Sequence, residues 1–130
     1  MPNIRLLPWL LAASLPWTAT AADGLPASFD EAKLRADHDE AALPPELAGR
    51  IHQAQATALD AGIAQCAMPH ADTSPFTLVV ALDAQGTVTS SWRAGDTPLA
   101  ICMEKFLRTR PLPAPPKAPL LVSYELSFTR

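Results

Sequence analysis

Two cysteines, Cys66 and Cys102, constrain this chain most, because each falls on an apolar stripe of helical period and the sequence holds no others. The first stripe runs Leu47, Ile51, Ala54, Ala58, Ala61 or Gly62, Ile63 and Cys66. Pro44-Pro45 stands at its start, where the missing N–H of a first helical turn costs nothing. The second stripe is Leu99, Cys102, Met103 and Phe106, opened by Thr97-Pro98, a cap residue followed by proline at the first helical position. Both cysteines are thus expected to face a core.

Whether they are bonded depends on compartment, since disulfides persist where the surroundings are oxidising. Arg5 supplies a positive start, Leu6 to Leu15 is mostly apolar and broken by Pro8, and Ala19-Thr20-Ala21 has the A-x-A form of a cleavage site. The reading is a signal peptide over residues 1–21. Its apolar stretch falls short of the roughly 20 residues that cross a bilayer, and nothing later spans one, so no transmembrane segment is expected in the mature chain. Periplasmic localisation and a structural Cys66–Cys102 disulfide follow as expectations. In the chain-entropy model such a loop closure contributes about 4 kcal/mol. A reactive thiol, or a metal site built on Cys66 and His70, lacks the basic neighbours or further ligands it would need.

Between the two helical stripes the period drops to two. Phe76, Leu78, Val80 and Leu82 alternate with Thr77, Val79 and Ala81, and after Asp83-Ala84-Gln85-Gly86 the residues Val88, Ser90 and Trp92 alternate with Thr87, Thr89 and Ser91. This is a hairpin, and Gly86 is explained by a turn that needs positive φ. Lys105, Arg108 and Arg110 crowd the last turns of the second helix, where cations complement its dipole. The proline-rich run Arg110 to Pro119 cannot continue a helix and carries the chain back in an extended path. Leu120, Val122, Tyr124, Leu126 and Phe128 then alternate with Leu121, Ser123, Glu125 and Ser127 as a half-buried strand.

Residues 22–43 read as an acidic arm or a short helix. Ser28-Phe29-Asp30-Glu31 has the form of a capping box, but the apolar stripe behind it is thin. The Asp37 to Glu40 cluster is expected to be a solvated face and not a metal site, because adjacent helical residues point in different directions. His52 is expected as a boundary residue beside the apolar stripe of its helix, with no triad partner legible in the sequence.

Hydrophobic residues at 48% against 18% charged argue for a packed domain. A net charge of -3 gives nucleic acid no electrostatic support.

The order helix, strand, strand, helix, strand resembles the C-terminal domain of TonB-like proteins, with a closer likeness to AgmX-type domains. The residues that carry it are Cys66 late in the first helix, Phe76 to Trp92, Leu99-Ala100-Ile101-Cys102, Pro113-Ala114-Pro115, and Val122 to Phe128. The resemblance implies an α+β fold over residues 44–130, a small three-stranded antiparallel sheet with two helices packed on one face. It also implies that a sheet edge accepts an extended peptide. TonB itself carries an uncleaved anchor and a long proline-rich spacer, neither of which is read here, so energy transduction is not implied. The candidate peptide-binding edge is the last strand, at Leu121, Ser123, Glu125 and Ser127, because an open edge is either guarded or used.

The expected function is a non-enzymatic envelope-accessory module that binds an envelope or periplasmic protein, without cofactor, metal or catalytic residues. A small exported inhibitor or immunity protein is the alternative, and an enzyme a weaker third, since no nucleophile–base, metal or phosphate-binding constellation is legible.

Overall fold

The computed structural model describes residues 24–129 together with Ser14. Apart from Ser14, the expected leader and its cleavage site lie outside the described residues. Six elements follow in order: α1 (Phe29–Ala41), α2 (Pro45–Cys66), β1 (Phe76–Leu82), β2 (Val88–Ala94), α3 (Pro98–Leu107) and β3 (Leu120–Leu126). The strands form one antiparallel sheet in the order β2-β1-β3. The expected α+β architecture is present, with a third helix added to it.

α2 and α3 cover one face of the sheet. Leu47, Ile51, Ala58 and Cys66 of α2 meet Leu99, Ala100, Met103, Phe106 and Leu107 of α3 above Phe76, Leu78, Val80 and Leu82 of β1 and Leu120, Val122 and Tyr124 of β3. The two helices touch closely at Gly62, where a Cβ would lie 2.8 Å from both Met103 Cε and Phe106 Cδ1. The Cys66–Cys102 disulfide joins the end of α2 to α3 with a Cα separation of 5.8 Å. Cys66 is buried as expected, whereas Cys102 is only half-buried at the rim of the core. The stripe also differs in detail: Gln55 is buried at 7% exposure, while Ala54 and Ile63 pack at the periphery.

α1, an arm or a short helix by sequence, is a helix of three turns and more that packs on the opposite face. Ser28 Oγ accepts from the Glu31 N–H at 3.2 Å, and Glu31 Oε2 accepts from the N–H of Ala27, closing a capping box one residue wider than the usual form. Ala32 and Ala36, one turn apart and fully buried, lie against Val79, Ala81 and Leu121, with Phe29 and Trp92 at the flanks. Small side chains let the helix approach the sheet closely, so both faces of β1 are buried and a second, smaller apolar cluster forms.

The hairpin and the proline-rich return brace one another. Asp83 Oδ1 accepts from the N–H groups of Gln85 and Thr87, each at 2.9 Å, and Gly86 takes φ of 84°. The Leu112 N–H donates to Gly86 O at 2.9 Å, and a Cβ on Gly86 would stand 1.9 Å from Leu112 O. Only glycine satisfies both the turn and this contact.

Candidate functional site

Strand addition depends on which backbone groups point away from the sheet. In an antiparallel strand a residue's N–H and C=O share a side, and successive residues alternate sides. Three contacts set the phase of β3. The Leu121 N–H donates to Asp39 Oδ2 at 3.1 Å, the Ser123 N–H to Glu40 Oε1 at 2.5 Å, and Ser123 O accepts from Gln55 Nε2 at 3.1 Å. Leu121 and Ser123 therefore face outward, and Val122 and Tyr124 face their partners Val80 and Leu78. The same phase carries across β1. Val79 and Ala81 turn their backbone groups toward Trp92 and Ser90, which leaves Ser91 and Arg93 outward on β2.

The two edges of the sheet are thus unlike. On β3 the N–H groups of Leu121 and Ser123 and the Ser123 C=O are taken by side chains of α1 and α2, so a peptide adding there must displace Asp39, Glu40 and Gln55. The Leu121 C=O and the outward groups of Glu125 make no such bond among the described residues. The four expected edge residues are placed as follows. Leu121 is fully buried beneath α1, and Ser123 is half-buried. Glu125 is exposed and paired with Lys33 Nζ at 2.8 Å, and Ser127 is exposed beyond the end of the strand. The face that carries them is therefore covered by α1 at Leu121 and in part at Ser123, and is open at Glu125 and Ser127.

The charges on α1 respond to this position. Burial pushes the Glu40 carboxyl above the usual carboxylate range, and the Ser123 N–H only partly offsets it. Lys33 is held above the ordinary lysine value by its hydrogen bond to Asp37 and then by that to Glu125. The Asp37 to Glu40 cluster is accordingly not a uniformly solvated face. Asp37 pairs with Lys33 on the surface, while Asp39 and Glu40 turn to the sheet. A signal for this was present in the sequence, since Ala32, Ala36 and then Asp39 and Glu40 follow one helical stripe.

On β2, among the described residues, no hydrogen bond is formed by the outward N–H or C=O of Ser91 or Arg93. Their side chains reach toward α3. Ser91 Oγ donates to Glu104 Oε2 at 3.0 Å and accepts from Arg108 Nη1 at 2.6 Å. Arg93 Nε donates to Glu104 Oε1 at 3.3 Å, and Arg93 Nη1 meets Asp96 Oδ1 at 2.9 Å. On the other face Trp92 is half-buried, its Nε1 donating to Pro26 O at 3.1 Å. The basic group at the end of α3 is thus divided. Arg110 lies 4.4 Å over the Phe106 ring, while Arg108 reaches the edge strand. Sequence alone did not join Arg108 to Ser91, because the contact depends on how α3 lies across β2.

His52 and His70 are both exposed, on α2 and in the connection that follows it. No group of three or more His, Cys, Asp or Glu side chains is close enough to hold a metal ion among the described residues. No described helix is long and apolar enough to cross a membrane. Comparison with known protein families, with curated proteins and with solved structures gives no match for this chain.

Proposed function

We propose that this chain is an exported, non-enzymatic protein-binding module of TonB-like fold, which takes up an extended segment of a periplasmic or envelope protein by strand addition. The observation that carries this reading is the inequality of the two edges: on β3 the centre of the strand is occupied by Asp39, Glu40 and Gln55, while on β2 the outward groups of both Ser91 and Arg93 have no partner among the described residues. An uncovered row of N–H and C=O groups is what an added strand recognises. The order of elements and the cysteine pair support the TonB-like assignment, and the disulfide is compatible with an oxidising compartment.

Site-specific photocrosslinking in cells that produce the protein tests the reading. A photoreactive residue at Thr89, exposed on β2, is expected to trap a discrete partner, whereas one at Gln53, exposed on α2, is not. Ser91→Pro removes an outward donor without touching the β1 ladder and is expected to abolish the adduct while the fold persists by thermal melting. Equal crosslinking from both positions, or an adduct that survives Ser91→Pro, would sink the proposal.

A further inference from the structure

The chemistry beside β2 narrows what kind of segment fits. Ser91 and Arg93 direct their side chains to the α3 side of the sheet, where four charged groups gather. Two are carboxylates and both serve Arg93: Glu104 at 3.3 Å and Asp96 at 2.9 Å. Glu104 also accepts from Ser91. Arg108 is different. It is exposed, its contact at the edge is the neutral Ser91 hydroxyl, and it forms no ion pair among the described residues. Lys105, in the last turn of α3 just before Arg108, is also exposed and adds to the positive balance.

A strand added to β2 would lie about 5 Å away, and its side chains would alternate faces in step with those of Ser91 and Trp92. The side chain opposite Ser91 would then stand beside the Arg108 guanidinium, and its two neighbours would fall on the opposite face, next to the half-buried Trp92 ring. From this we infer that the occupant of the β2 edge is an extended peptide of alternating acidic and apolar residues, with a carboxylate against Arg108 and an apolar side chain against Trp92. The inference rests on the strand-addition reading and specifies the partner segment for it. Arg108 acts as a specificity residue, because the backbone bonds are indifferent to sequence and only side chains at the margin discriminate.

The probes are two capped eight-residue peptides, one alternating valine with glutamate and one alternating valine with lysine, titrated to millimolar concentration into the full, oxidised chain. Backbone amide shifts in NMR spectra report the location. The glutamate peptide is expected to move the Ser91 and Arg93 amides and to slow their hydrogen exchange. It should bind more tightly than the lysine peptide, by about fivefold for one partly exposed pair. Arg108→Gln should remove that preference while leaving the melting temperature within about two degrees, as for a surface side chain. Equal binding of both peptides at β2 would overturn the charge inference and leave strand addition standing. Shifts confined to Leu121 and Ser123 would overturn the inference by moving the site to β3. No shift at β2 from either peptide would overturn the inference and the open-edge reading together.

Discussion

Gly86 and Tyr124 are two single positions at which the folded chain makes a measurable commitment. At Gly86 a side chain would meet the Leu112 carbonyl and would also have to adopt φ of 84°. Gly86→Ala is expected to cost about 2–3 kcal/mol, through strain in the turn and a forced shift of the proline-rich return. Denaturant unfolding measures it, and a loss below half that would show that the return yields easily. Tyr124 is buried at 2% exposure, and its hydroxyl has no hydrogen-bond partner among the described residues. Burial alone pushes its phenol well above the ordinary value. Tyr124→Phe removes an unsatisfied polar atom while keeping the ring, so stability should hold or rise by up to about 1 kcal/mol. A clear drop in the melting temperature would mean the hydroxyl has a partner in solution.

Among the elements, α1 has the sharpest electrostatic signature. The folded-state pKa of Glu40 lies above its unfolded value, so the folded chain binds this proton more tightly. The ionised group therefore weighs against folding, and that cost appears as pH rises through the window above 4.5 and is relieved below it. Glu40→Gln keeps an oxygen to accept from the Ser123 N–H and removes the charge. The variant is expected to be at least as stable as the parent at pH 7 and to lose the Glu40 contribution to the pH profile. Glu40→Ala leaves the Ser123 donor unanswered and should cost about 1 kcal/mol. Parallel melts of the three proteins at pH 5 and pH 7 decide between these outcomes.

The strands were legible because alternation is a local property: Phe76 to Leu82 and Leu120 to Leu126 carry their period in the residue order. The placement of α1 was not. Its buried positions are two alanines, too small to stand out as an apolar stripe, and the carboxylates that complete the stripe resemble surface charge. Sequence places the candidate edge on β3 because a returning last strand leaves an open edge. Which of its backbone groups are outward, and what covers them, is set by the strand order and by side chains 82 and 83 positions away in the sequence.

For the molecule as a whole, the disulfide ties α2 to α3 across 36 residues of chain. That segment contains the whole β1–β2 hairpin. Reduction is expected to lower stability by about 2–4 kcal/mol, chiefly by releasing the unfolded chain. Melting with and without reductant measures the difference, and thiol labelling of the native, unreduced protein should find neither cysteine reactive. Little change on reduction would mean that helix packing around Gly62 holds the two helices without the bond.

The occupied centre of the β3 margin also bears on how many chains can join. A sheet with two bare margins can pass its pattern on at both sides and grow into a fibre, one molecule templating the next. Here Asp39, Glu40 and Gln55 occupy the middle of one side, which hinders templating there. Two copies joined through their β2 margins would end on two such occupied β3 margins, so an assembly of that kind is expected to stop at a pair.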